Sequence, residues 1–124
     1  MFITKALAAA AVLAAASLTV PAHAAASPDV SPRAFNCAAG YFCIYSDYDG
    51  GGTRCQWRQK KVANTADDCS FIRRGKKVRS VWNNTNHRVQ YYTSTNYNNR
   101  VGSTPSLAGG NLQGSYQIRS FQPQ

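Results

Sequence analysis

Beyond residue 40 the large apolar residues fall in short clusters of strand length, separated by runs of Gly, Asn and Ser. Tyr41, Phe42, Ile44 and Tyr45 surround Cys43 in a run that ends at Ser46-Asp47. Asp49 to Gly52 follows as a turn, because consecutive glycines accept positive φ. Gln56-Trp57-Arg58 predicts a second strand, whereas Val62 to Ser70 has no period and predicts a loop, with at most one helical turn around Ala66 to Asp68. Val78 to Trp82 alternates, which sets Val78, Ser80 and Trp82 on one face and Arg79 and Val81 on the other. Asn83 to Asn86 is a linking turn and His87 to Thr93 another strand, followed by a polar hairpin through Asn99. Pro105 to Gly110 is turn material. Tyr116 to Phe121 is expected to close the chain as a strand, with Tyr116, Ile118 and Ser120 on one side. This punctuation predicts an all-β, antiparallel domain, with too few large apolar residues left for a helical layer.

The first residues change that picture only by leaving it. Lys5 precedes a small-apolar run from Ala6 to Leu18, and Ala22-His23-Ala24 offers small residues where a signal peptidase reads. The run is too short for the ~20 residues a membrane span needs. Residues 1–24 are therefore expected to be a signal peptide, with cleavage after Ala26 nearly as suitable. Residues 25–36, with Pro28 and Pro32, are expected to be a flexible lead-in, and 37–124 the folded domain. The expected location is extracellular, with no membrane attachment once the signal is removed.

An exported chain of this size suits disulfides. Its four cysteines, Cys37, Cys43, Cys55 and Cys69, allow three pairings, of which Cys37 with Cys43 and Cys55 with Cys69 is favoured. Their spacing repeats no zinc knuckle, so no metal is expected. The net charge of +9 becomes +8 when Lys5 is lost with the signal, leaving thirteen Lys and Arg against five Asp. The positives gather at Arg54 to Lys61 and Arg73 to Arg79, which favours acidic partners. No helix, zinc or stacking motif frames the charge for specific nucleic-acid binding.

A degenerate repeat organises the domain. Tyr45-x4-Gly50-x-Gly52 leads to Ser80, and Tyr92-x4-Tyr97-x-Asn99 leads to Ser120. The longer first half requires a seven-residue insertion, expected within Lys60 to Asp68. In each half a tight bend needs Gly or Asn, and a serine hydroxyl from a distant strand can satisfy its backbone groups. Tyr45, Gly52, Ser80, Tyr92, Tyr97, Asn99 and Ser120 resemble the βγ-crystallin motif. Gly50 replaces the second aromatic residue in the first half, and Asn99 the glycine in the second. The resemblance implies a single domain of two Greek-key motifs folded as an antiparallel β-sandwich. Calcium-binding members of that superfamily carry a ligand pair ahead of Ser/Thr-Ser. Here neither half supplies the pair, and Arg79 and Arg119 stand immediately before Ser80 and Ser120, so no calcium is expected.

The segment Cys37-Ala38-Ala39-Gly40-Tyr41-Phe42-Cys43-Ile44-Tyr45 also resembles the opening signature of the small actinobacterial peptidase inhibitors, the family of the Streptomyces metalloproteinase inhibitor. Val81 to Thr85 and Asn111-Leu112 are similar to later parts of that family. The resemblance implies a secreted, monomeric protein that occludes a protease cleft noncovalently. It departs from the founding pattern in the second half, where no cysteine follows Cys69 to lock Thr93 to Arg100. The candidate contacts are Asp47, Tyr48, Asp49, Thr93, Asn96, Tyr97, Asn98 and Arg100, with an extracellular peptidase as partner.

Catalytic residues are scarce. Asp29, Asp47, Asp49, Asp67 and Asp68 are the only carboxylate side chains, there is no Glu, and His87 is the only imidazole beyond the signal. Nothing marks a nucleophile elbow or an oriented triad, so no enzyme and no cofactor is expected. The competing function is a chitin-binding or anionic wall-polymer-binding module, with possible antimicrobial action. Trp57, Tyr91 and Tyr97 would be its glycan contacts, Tyr91 being the expected outward ring of the Tyr91-Tyr92 pair.

Overall fold

The computed structural model describes residues 35–124, and the expected signal peptide and nearly all of the lead-in lie outside that range. Seven strands form two antiparallel sheets. They are β1 Phe42–Tyr45, β2 Arg54–Trp57, β3 Val78–Asn83, β4 Val89–Tyr92, β5 Arg100–Thr104, β6 Ala108–Tyr116 and β7 Ser120–Pro123. The first sheet has the order β2-β1-β3-β6 and the second β5-β4-β7. Phe42, Ile44, Trp57, Val78 and Val81 of one sheet meet Val89, Tyr91 and Phe121 of the other in a single apolar core. Burying such side chains is the main favourable contribution to folding.

All four residues of β1 are buried, although alternation predicts only half of them to be. Phe42 and Ile44 enter the core, and the opposite face is covered by the segment just before β1. There Phe35 lies stacked on Trp82 with centroids 5.0 Å apart and meets Tyr45 edge-on at 5.5 Å. The Tyr45 hydroxyl donates to the Asn36 carbonyl, and burial pushes its pKa up to about 12. Cys37 is bonded to Cys43 on the same face. Packing thus includes Phe35 and Asn36, two residues of the stretch expected to be flexible.

Three expectations are corrected. Trp82 does not share the core face with Val78. The β3–β6 register shifts between Val78 and Ser80, so Val78 and Val81 both reach the core and Trp82 packs outside under Phe35. Residues 108–116 form the longest strand, where a turn to Gly110 was expected. Its Ala-Gly-Gly start has little strand propensity of its own. It forms because β3 supplies a ladder and Gly109 lets the backbones close, since a Cβ there would collide with the Val81 carbonyl and Trp82. The last strand is Ser120–Pro123, not Tyr116 to Phe121, because Tyr116 ends β6 and Ile118 sits buried in the connection.

The connection from β2 to β3 holds a 3-10 turn at Thr65–Asp67, close to the one helical turn expected around Ala66 to Asp68, and one short helix, α1 Ser70–Arg73, which starts where the expected loop ends. It buries Phe71 and Ile72, and the Cys55–Cys69 disulfide ties it to β2. Val62 exchanges backbone hydrogen bonds with Phe121, and Thr65 Oγ1 donates to the Ile118 carbonyl. This segment therefore covers the free edge of β7, which limits edge-to-edge pairing with other chains.

Candidate functional site

The two repeat halves build the same latch. Ser80 Oγ accepts from Gly50 N at 3.0 Å and donates to the Asp47 carbonyl at 2.7 Å. Ser120 Oγ accepts from Tyr97 N at 3.0 Å and donates to the Ser94 carbonyl at 2.7 Å. Both serines are fully buried. Positive φ recurs at matching places, Asp49, Gly50 and Gly52 in one bend and Asn96, Tyr97 and Asn99 in the other. At Gly52 a Cβ would run into Ser46 Oγ, whereas Asn99 keeps a side chain that donates to Ser94 Oγ. Ser80→Ala and Ser120→Ala are each expected to lower the unfolding free energy by about 2 kcal/mol, because each takes the partner from a part-buried donor and a part-buried acceptor. Urea denaturation of the two variants would show the losses to be alike, and a negligible loss in either would refute its latch.

The latches present two exposed bends. In the first, Asp47 accepts from Tyr48 N, and Asp49 exchanges hydrogen bonds with the Asn111 side chain. The Tyr48 ring is 49 % exposed, with the Arg79 guanidinium 5.5 Å from its centroid. In the second, Tyr97 is half-buried edge-on to Tyr92, under the Lys61 ammonium. Thr93 closes the bend through its backbone to Asn99, Asn96 N donates to the Ala63 carbonyl, and Asn98 Nδ2 donates to the Thr95 carbonyl. Arg100 leaves the bend for Gln90 and Gln124. This bend holds its shape by hydrogen bonds and the packing of Tyr97, without a disulfide of its own.

The proposed aromatic platform is not assembled. Trp57 and Tyr91 are each only 3 % exposed. Trp57 packs on Phe121, and Tyr91 stacks on Phe42 with its hydroxyl bonded to Thr104 Oγ1. Of the adjacent tyrosines it is Tyr91 that enters the core, and burial raises its pKa. Buried rings cannot stack on a sugar, and Tyr97 alone is no platform.

The opposite strand ends carry a feature the pattern analysis missed. Asn83, fully buried, donates through Nδ2 to the carbonyls of His87, Thr104 and Pro105, and its Oδ1 accepts from Thr85. Ser106 Oγ donates to the Thr85 carbonyl. The 105–107 turn is thereby pinned to the 84–87 turn beside a groove of about 470 Å³. Arg58, Lys60, His87 and Leu107 line it. Desolvation and the nearby Lys60 charge hold the His87 pKa below its usual value. The sequence signal was an isolated leucine between Pro105-Ser106 and Ala108-Gly109, which turn composition alone does not explain. Among the described residues, no three His, Cys, Asp or Glu side chains are placed to hold a metal ion.

A family model described as peptidase inhibitor family I36 matches residues 30–104, which include both latched bends and stop before Leu107. No curated protein and no solved structure matches the chain.

Proposed function

The chain belongs to peptidase inhibitor family I36, and from that membership we propose that it is a secreted protein that blocks the cleft of an extracellular peptidase noncovalently, through exposed loops. The family match over residues 30–104 carries this reading. Loop rigidity supports it. A loop already fixed by buried serine and asparagine side chains loses less conformational entropy on docking, so more of the contact energy appears as affinity. The two disulfides suit an oxidising compartment outside the cell. One copy of the chain acting on one peptidase is the simplest stoichiometry for a monomer of this size. The test is titration of the purified protein against thermolysin-like, subtilisin-like and trypsin-like peptidases with small peptide substrates. Dose-dependent inhibition of at least one is expected. No inhibition at micromolar concentration across the panel overturns the reading.

A further inference from the structure

Leu107 is 67 % exposed and holds φ at +57°. A tight turn with a left-handed residue ordinarily places Gly there, because a Cβ in that conformation costs about 1 kcal/mol. Here a branched apolar side chain takes the strained position and points away from the core, which leaves its presence without a folding reason. The turn that carries it does not yield: Asn83 Nδ2 holds the Thr104 and Pro105 carbonyls, each at 3.1 Å, and Ser106 is bonded to Thr85. The groove beside Leu107 has Arg58 and Lys60 on its lining and no carboxylate. An apolar side chain on a rigid turn, next to a basic wall, has the form of an interface anchor beside a polar rim.

We propose that Leu107 is the apolar anchor by which this chain docks on its peptidase, entering an apolar subsite while Arg58 and Lys60 face an acidic rim of the same cleft. The proposal rests on the inhibitor reading and names the contact within it. It sets the docking face at the strand ends where Phe42, Trp57, Asn83 and Ala108 align. The bends at 47–53 and 93–100 leave from the other ends of β1 and β4, after Tyr45 and Tyr92. The partner is thus an endopeptidase that accepts a branched aliphatic side chain and carries excess negative charge around its cleft. Attraction between that charge and Arg58 and Lys60 steers encounter and weakens with salt.

The test uses a peptidase that the unaltered protein inhibits, and compares Leu107→Gly, the pair Arg58→Glu/Lys60→Glu, Asn98→Ala in the competing 93–100 bend, and Gln113→Ala at an exposed position of β6 as the control. Leu107→Gly is expected to weaken inhibition about 30-fold, the loss of one well-buried leucine. Its melting temperature should stay level or rise, since glycine suits the left-handed position. The charge-reversal pair should slow association and flatten its salt dependence, while Gln113→Ala leaves inhibition unchanged. Inhibition by Leu107→Gly within about threefold of the unaltered protein overturns the anchor and leaves the inhibitor reading standing. A clear fall in its melting temperature also overturns it, by giving Leu107 a folding role. Loss of inhibition confined to Asn98→Ala moves the contact to the 93–100 bend and overturns it as well. If the unaltered protein inhibits no peptidase, both conclusions fall together.

Discussion

Replacing Asn83 by alanine is expected to lower the unfolding free energy by about 3 kcal/mol, more than any other polar substitution in the domain. The side chain is fully buried and serves three carbonyl oxygens and the Thr85 backbone N–H at once. Alanine takes a partner from all of these, in a site that is buried at Thr104 and part-buried at His87, Pro105 and Thr85. Each unsatisfied buried group costs about 1–3 kcal/mol, and relaxation of the 84–87 and 105–107 turns recovers part of the sum. Asn83→Asp separates shape from hydrogen bonding. It keeps the outline but turns the donor into an anionic acceptor facing carbonyl oxygens, so at neutral pH it should be at least as damaging as alanine. Urea denaturation monitored by tryptophan fluorescence measures both, and a loss below about 1 kcal/mol in both would refute the role assigned to Asn83.

The second large effect concerns the Cys55–Cys69 disulfide. Its removal, as Cys55→Ala/Cys69→Ala, is expected to cost about 3 kcal/mol. The bond closes a loop of sequence separation 14, and opening it frees that loop in the unfolded chain. The connection it anchors carries Phe71 and Ile72 into the core and lays Val62 along β7. The variant should therefore also exchange its Val62 and Phe121 amide protons faster than the amides of β1. Removal of Cys37–Cys43, with a separation of only 6, should cost less by the same loop argument. Denaturation midpoints of the two double variants check the order. If Cys37→Ala/Cys43→Ala is the weaker protein, the strap from Phe35 to Cys37 contributes more through packing than loop entropy assigns it.

Much of this architecture was legible because it rests on local requirements. The bends at Asp49–Gly52 and Asn96–Asn99 need residues that tolerate positive φ, and Gly, Asn and Asp, which supply it most cheaply, fill five of the six such positions, Tyr97 being the exception. Their spacing to Ser80 and Ser120 therefore left a visible repeat. What was lost depended on neighbours distant in sequence. Tyr91 and Tyr92 alternate as a strand should, but the side facing the core is fixed by pairing with Gly102 and Phe121, not by the pair itself. Trp82 was misplaced because a register shift on the partner strand changed its phase. β6 carries almost no pattern, since glycine makes the ladder possible without announcing it. Leu107 escaped notice because hydropathy periods say nothing inside a turn.

β6 belongs to the second repeat by sequence but pairs with β3 of the first, while β7, four residues further on, pairs with β4 in the other sheet. The last seventeen residues are in this way stitched into both layers. A peptidase that severed the 105–107 turn would produce a nicked molecule with no loose piece to release. Both new ends would stay held by their ladders, β5 on β4 and β6 on β3.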